Sequence, residues 1–252
     1  MKLLLAGLAL ALSGAPIAAV AACRVALALG LDVSGSVDGR EYRLQMDGLA
    51  AALLRPEVRS ALLAMPEDPV ELMVFEWSGP GDQRVVQPWQ SVTGAAAIDA
   101  IAGRLQATMR GPGDPSTALG AAMRAGAAQL SSRSHCARKV LDISGDGPSN
   151  TGPLPQAIRD SAVLSDVTVN GLVIADAGTV AGMHGAADQA SLDGYFQAYV
   201  IRGPGAFTAA AAGFDDYEDA MVRKLIRELQ GLVLSQAERP QRSRRPSRTI
   251  GQ

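Results

Sequence analysis

Val25-Ala-Leu-Ala-Leu-Gly-Leu31 runs directly into Asp32-Val-Ser-Gly-Ser36, and this stretch decides the fold class. A strand with one wet face alternates apolar and polar side chains, because successive residues point to opposite sides. No such alternation is present here. An unbroken apolar run of this length suits a strand buried on both faces, as in a parallel sheet covered by helices. Polar residues begin where the strand should stop, which places Asp32, Ser34 and Ser36 in the loop at its carboxyl end.

The pattern outward from this strand repeats strand and helix. Val37 to Leu54 has helical spacing (Tyr42, Met46, Leu49, Leu53), with Asp38 and Glu41 in a first turn that favours acids, and Pro56 ends it. Val70 to Trp77 reads as a second strand. Gly79 to Asp82 turns into Arg84 to Trp89, an antiparallel edge strand where Pro88 is tolerated. Ala95 to Leu105 is helical, Gly111-Pro-Gly-Asp-Pro115 is a rigid loop, and Thr117 to Leu130 is helical again. Lys139 to Ser144 is a strand entering Gly145-Asp146-Gly147. Pro153 to Leu164 reads as a helix, Val167 to Ala175 as a buried strand, Tyr195 to Ile201 as a last strand and Phe214 to Leu234 as the closing helix. The expected fold is α/β: a doubly wound, mostly parallel six-stranded sheet with helices on both faces and one antiparallel edge strand.

Composition sets the remaining bounds. A chain of 252 residues, 48 % hydrophobic and 19 % charged, suits one large domain with a sizeable core. A formal net charge of -2 gives no electrostatic basis for nucleic-acid binding. Residues 1–22 read as a signal peptide: Met1-Lys2 is basic, Leu3 to Leu12 apolar, Gly14 and Pro16 break the run, and Ala19-Val20-Ala21 is a small-x-small cleavage signal. Export to the periplasm or the medium follows. Residues 23–236 form the domain. In residues 237–252, Arg239, Arg242, Arg244, Arg245 and Arg248 stand against Glu238, with two prolines and almost nothing apolar. That tail is expected to be disordered, either as a solubilising end or as a contact for anionic lipid or an acidic partner.

Cys23 has two readings. Val20-Ala21-Ala22-Cys23 resembles a lipobox, which would make Cys23 a lipidated N-terminus and the membrane its neighbour. Alternatively, the two cysteines of an exported chain pair as a disulfide. Cys23 lies nine residues before Asp32 and Cys136 ten before Asp146. If those aspartates end neighbouring parallel strands, both cysteines meet at the opposite ends. His135 and His184 are read as ordinary loop histidines, since no metal-ligand spacing links them.

Three oxygen-rich segments fall at the carboxyl ends of strands, where open α/β sheets bind ligands. They are Asp32-Val-Ser-Gly-Ser36, Asp114-Pro-Ser-Thr117 and Ser144-Gly-Asp146-Gly147. Any one of them also fits a helix cap, and Asp114 before Pro115 fits a turn. Together they offer the hard oxygen ligands that Mg²⁺ prefers. The pattern Asp-x-Ser-x-Ser, Thr117-x-x-Gly120 and Ser-Gly-Asp146-Gly147 resembles the metal-ion-dependent adhesion site of von Willebrand factor A domains, over Cys23 to about Gln236. More narrowly, Glu41-Tyr42-Arg43, Ser144-Gly-Asp-Gly-Pro148 and Gly203-Pro-Gly-Ala-Phe207 resemble a bacterial family of exported A-type domains of unknown function.

The resemblance implies a divalent cation, Mg²⁺ with Mn²⁺ or Ca²⁺ as alternatives, held by Asp32, Ser34, Ser36, Thr117 and Asp146. Ser34 and Ser36 would bind directly, Thr117 directly or through water, and the aspartates mostly through water. It also implies a protein partner whose acidic residue completes the coordination. Glu76, Trp77 and Asp114 are candidates for the rim that meets that partner. The competing reading is a Mg²⁺-dependent phosphatase-like hydrolase using Asp32, although the second Asp of haloacid-dehalogenase-type sites is replaced by Ser34. Neither a phosphate loop nor a Gly-x-Ser-x-Gly elbow is present.

Overall fold

A computed structural model describes residues 23–175 and 183–237 of the chain. The signal-peptide and lipobox segment, residues 1–22, and the tail from 238 to 252 lie outside the described residues. Six strands form one sheet in the order β3-β2-β1-β4-β5-β6. They are β1 (Val25–Asp32), β2 (Val70–Trp77), β3 (Gln83–Val92), β4 (Lys139–Gly145), β5 (Val167–Ile174) and β6 (Thr208–Ala211). All neighbours pair in parallel except β2 and β3. The helices are α1 (Gly39–Leu54), α2 (Pro56–Leu62), α3 (Ala95–Ala107), α4 (Leu119–Ser131), α5 (Pro155–Arg159), α6 (Met183–Tyr199) and α7 (Tyr217–Ala237). The doubly wound α/β architecture read from the strand pattern is the one observed.

Every residue of β1 and β2 is buried, whereas β3 exposes several positions, as an edge strand does. The two faces of β1 differ in size. Leu27, Leu29 and Leu31 pack with Met46, Leu49, Ile101 and Tyr217 on one side of the sheet. Ala26 and Ala28 pack with Phe75, Leu119, Met123 and Phe196 on the other. Gly30 continues the small face: a Cβ there would lie 2.6 Å from Phe75 and 2.9 Å from Ile143. The small face of β1 is therefore filled by large side chains from β2 and β4, which keeps the interior closely packed.

Helix boundaries follow local chemistry. Asp38 caps α1 by accepting from the Glu41 N–H, and Glu41 accepts from the Asp38 N–H, each at 2.8 Å. This capping box satisfies amide hydrogens that the first turn leaves free. Pro56 does stop α1, but it also opens α2, where its missing N–H costs nothing.

Three sequence expectations need correction. Tyr195 to Ile201 is not a strand, because through Tyr199 it is the end of α6, with Phe196 and Val200 buried four residues apart on one helical face. The last strand is instead Thr208–Ala211, whose three alanines carry no strand signal because alanine is the strongest helix former. The expected Pro153–Leu164 helix is a short α5 followed by a 3₁₀ turn at Ala162–Leu164. His184 falls in α6 and not in a loop; its side chain lies outside the described residues.

Cys23 and Cys136 form a disulfide across a sequence separation of 113 residues. Such a loop stabilises by about 4–5 kcal/mol in the chain-entropy account. The Cys23 sulfur is thereby engaged. Among the described residues no helix is long and apolar enough to cross a membrane.

One buried cluster fastens α7 to the sheet. Lys224, 0 % exposed in its side chain, pairs with Asp142 of β4 and with Glu228 at 2.7 Å. Asn170 of β5 donates to Glu228 at 2.8 Å and accepts from the Phe207 N–H at 3.0 Å. Burial pushes the Asp142 carboxyl up, and the second carboxylate of Glu228 adds to this against the pull of Lys224. Removing the buried cation that bridges them strands two acids in a low-dielectric core. Lys224→Met should therefore cost about 3–5 kcal/mol of stability, read as a lower denaturant midpoint at unchanged slope. A loss below about 1 kcal/mol, the range of surface pairs, would contradict this role.

Candidate metal centre

The sheet reverses its strand order at β1, which is flanked by β2 and β4. At such a switch the loops leaving the two central strands diverge and open a crevice. The register pairs Leu31 with Ser144, so Asp32 and the Gly145-Asp146 turn emerge side by side. A Cβ on Gly145 would lie 3.5 Å from Asp32 Oδ2.

Asp32 is 0 % exposed. Its Oδ1 accepts from the Ser34 N–H at 2.8 Å, which shapes the turn. Its Oδ2 is buried and makes no hydrogen bond of normal geometry. Burial pushes this carboxyl up to about 7, the Asp146 carboxylate adding to the shift against the pull of Ser34 and the Asp146 N–H. Ser34 Oγ and Ser36 Oγ are 3.2 Å apart, and Ser36 Oγ donates to Asp146 Oδ1 at 2.8 Å. Asp32, Ser34, Ser36 and Asp146 thus form one connected polar group. Ser34 is its buried end, while Ser36 is exposed and Asp146 half-buried.

The third loop is tied to the other two through its backbone. The Gly35 N–H donates to Pro115 O at 2.8 Å, and a Cβ on Gly35 would lie 2.9 Å from the Pro115 ring. Thr117, which is buried, exchanges two bonds with Asn150: its N–H reaches Asn150 Oδ1, and its carbonyl accepts the Asn150 N–H, both at 2.9 Å. Gly120 explains the Thr-x-x-Gly spacing. A Cβ there would lie 2.1 Å from Pro153 O, so only glycine lets α4 and the Thr117 loop approach the Asp146 loop.

Two positioning residues escaped the sequence reading. Arg110 donates from Nη2 to Val33 O at 2.9 Å and to Ser34 O at 3.0 Å, and from Nη1 to Val37 O. It clamps the whole Asp32–Val37 turn. Gln45, buried in α1, donates to Asp32 O at 2.9 Å. Neither had a sequence signal, since an arginine in a polar loop and a glutamine on an amphipathic helix both read as solvent-facing.

The expected rim fares unevenly. Trp77 is 0 % exposed and packs in the core with Phe75 and Phe196, so it is no partner anchor. Glu76 is also buried, because the Tyr42 hydroxyl donates to it at 2.6 Å and Arg84 bonds it with Nε at 2.9 Å and Nη2 at 2.7 Å. Asp114 is exposed but shapes its own turn, accepting from the Ser116 N–H at 2.8 Å. A cleft of about 460 Å³ beside these loops is lined by Val33, Gly35, Arg84, Arg110 and Asp114, with Glu76 among its walls. Since Asp32 is sealed from solvent, the geometry does not favour its use as a nucleophile.

The set could hold a hard divalent cation: two hydroxyls and two carboxylates meet from two loops, the Thr117 loop is tied to both by backbone bonds, and one buried carboxylate oxygen has no hydrogen bond of normal geometry. Known structures share the fold. The proximal thread matrix protein 1 of the mussel byssus, in a form with a zinc-occupied MIDAS motif, aligns at 15 % identity and TM-score 0.56, covering 83 % of this chain and 48 % of that one. The pilus adhesin SpaC from Lactobacillus rhamnosus GG, in its open conformation, aligns at 16 % and TM-score 0.57, over 84 % of this chain and 30 % of that one. A von Willebrand factor type A protein from Catenulispora acidiphila aligns at 15 % and TM-score 0.51, over 82 % and 43 %. This chain therefore spans half or less of the length of those structures. No curated protein matches the sequence. The fold is that of a von Willebrand factor A domain, and the chain, matched over residues 22–233, belongs to the family described as Protein of unknown function (DUF1194).

Proposed function

We propose that this chain is an exported module that binds a divalent cation through Asp32, Ser34, Ser36, Thr117 and Asp146, and uses that cation to capture an acidic side chain of a protein partner. The observation that carries the reading is Asp32 Oδ2, buried with no hydrogen bond of normal geometry beside a second acid and two hydroxyls. A buried acid in that position is relieved by a cation. The nearby Arg110 spends its donors on backbone carbonyls of the turn. Mg²⁺ suits the all-oxygen set, with Mn²⁺ or Ca²⁺ as alternatives. Ser34, Ser36 and Thr117 would contribute hydroxyls, and the two aspartates would anchor them or bind through water.

Neutral direct ligands leave a cation under-neutralised, which favours a carboxylate from outside. The zinc-occupied MIDAS of the mussel protein and the adhesin role of SpaC support this reading by analogy of fold. Residues 1–22 would direct export and be removed, leaving Cys23 at the start of the mature domain, and the basic residues after 237 would stay solvated.

Saturating Mg²⁺ at about 100 times its Kd should stabilise the folded chain by about 2.7 kcal/mol, or about 5–10 °C in melting temperature for a domain of this size. Asp146→Ala should lose this shift. A wild-type melting temperature unmoved between chelator and Mg²⁺ would overturn the metal assignment. Retention of partner proteins on the immobilised chain should likewise require the metal and reverse with chelator.

The raised pKa of Asp32 adds a pH signature. A carboxyl raised in the folded state contributes stability below its unfolded value, about 4, and that contribution is lost as pH rises through the folded value of about 7. Metal-free protein should therefore lose stability over that window, and Mg²⁺ should restore it most strongly above about pH 7. Asp32→Asn, which cannot ionise, should flatten both trends. Equal pH slopes in wild type and variant, measured by thermal melts across the window, would refute the link.

A further inference from the structure

A second cluster of ligand-type side chains lies at the opposite end of the same central strands. Cys23 precedes β1, Cys136 precedes β4, Glu71 is the second residue of β2, and His135 is next to Cys136. The sulfurs, a Glu71 oxygen and a His135 ring nitrogen all lie within 4.8 Å of one another. His135 Nε2 is 2.8 Å from Glu71 Oε1. Arg133 Nη1 donates to the other carboxylate oxygen at 2.9 Å, its guanidinium stacked over Trp89 at 5.3 Å. The eight residues of β1 separate this cluster from the Asp32 turn by about 25 Å at the usual rise of a strand.

In the oxidised protein the two sulfurs are spent on each other. The geometry points to a second use of them: reduction of Cys23–Cys136 converts this cluster into a four-ligand zinc site of two thiolates, His135 Nε2 and Glu71. A tetrahedral Zn²⁺ asks for ligand edges of about 3.3 Å between nitrogen and oxygen and about 3.8 Å between sulfurs, from bond lengths of about 2.0–2.3 Å. Around a central ion the sulfurs part on reduction, the 2.8 Å edge between His135 and Glu71 opens by about 0.5 Å, and no other edge starts beyond 4.8 Å. Backbone bonds, not the disulfide alone, hold the cysteines together: the Ala137 N–H donates to Cys23 O at 2.7 Å and the Ala26 N–H to Arg138 O at 2.9 Å. Adjacent thiols therefore persist when the sulfur–sulfur bond is broken. Two thiolates and one carboxylate exceed the charge of Zn²⁺ by one, and Arg133, already bonded to Glu71, supplies the balancing charge and orients that ligand. The His135 side chain is 34 % exposed and gives the metal a way in, while the two sulfurs lie buried behind it.

The chemistry balances as thiol–disulfide exchange. A dithiol reductant delivers two electrons and two protons to the Cys23–Cys136 bond and leaves as its own disulfide. Zn²⁺ then displaces the two thiol protons to solvent and binds the lone pair of His135 Nε2, the neutral ring carrying its one proton on Nδ1.

Co²⁺, a spectroscopic stand-in for Zn²⁺, tests this on the full mature chain carrying Asp146→Ala to silence the other candidate centre. Reduced protein should bind one Co²⁺ with an intense thiolate-to-metal band in the near ultraviolet and the visible bands of four-coordinate cobalt. Zn²⁺ should bleach them, and oxidised protein should show neither. His135→Ala and Glu71→Gln should each weaken Zn²⁺ binding at least tenfold while leaving the circular dichroism of the oxidised protein unchanged. Absence of the thiolate band in reduced protein would overturn the proposal, as would affinities unaffected by both variants. Because reduction itself can loosen the fold, the titration is repeated with Zn²⁺ added before the reductant. Native circular dichroism retained only with Zn²⁺ supports the site, and unfolding despite Zn²⁺ overturns it. None of these outcomes depends on what the Asp32 turn binds.

Discussion

The parallel ladder between β1 and β4 is the constraint on which the rest of the molecule depends. It runs in register from Ala26 opposite Lys139 to Leu31 opposite Ser144. Because the pairing is parallel, whatever follows each strand emerges on one edge of the sheet and whatever precedes it on the other. The chain uses both edges: oxygen side chains gather past Leu31 and Ser144, and sulfur gathers ahead of Val25 and Lys139. A slip of one residue would turn every buried side chain of β1 to the wrong face. The contrast between leucines on one side and Ala26, Ala28 and Gly30 on the other makes such a slip costly, since Phe75 and Ile143 occupy the space that the small residues leave.

Two acids buried near this ladder show how burial and charge are reconciled in opposite ways. Asp142 lies mid-strand in β4 and is given an internal cation, Lys224, which is itself held by Glu228. Asp32 lies at the end of β1, equally buried, and is met by hydroxyl and backbone N–H donors of Ser34 and Asp146. Desolvation acts on both. The first arrangement is closed on itself and joins α7 to the sheet. The second is connected through Ser34 to exposed Ser36 and half-buried Asp146 at the carboxyl edge of the sheet. Asp142 has its compensating ion within the chain; the one proposed for Asp32 would come from outside.

Much of this was legible in the sequence because the signals were redundant. The apolar run of β1, the edge position of Pro88 and the polar turns after Leu31 and Ser144 each pointed to the same sheet, and the spacings of nine and ten residues between cysteine and aspartate along two strands pointed to the disulfide. The failures share a cause. Tyr195 to Ile201 has strand-like composition but buries Phe196 and Val200 with helical spacing, while Thr208–Ala211 is a strand through its tertiary position alone. Trp77 at a strand end looked like a surface anchor until packing from β4 and α6 covered it. Arg110 and Gln45 act on backbone carbonyls, and such partners leave no trace in residue spacing. His135 looked isolated because Glu71 lies far away in the chain and is brought beside it only by the register of β2 on β1.

The disulfide also determines how the domain carries mechanical load. Tension applied at Cys23 cannot peel β1 from its neighbours, because Cys23 is covalently joined to Cys136. The force crosses the sulfur bridge and continues along Ala137 into β4, at the centre of the sheet. Everything from Arg24 to His135, including the turns that carry Ser34, Ser36 and Thr117, lies in a closed loop outside that path. A module pulled from its leading end would keep those turns at rest while the strain passed behind them, and breaking the bridge would switch the same pull onto β1 and the turn that follows it.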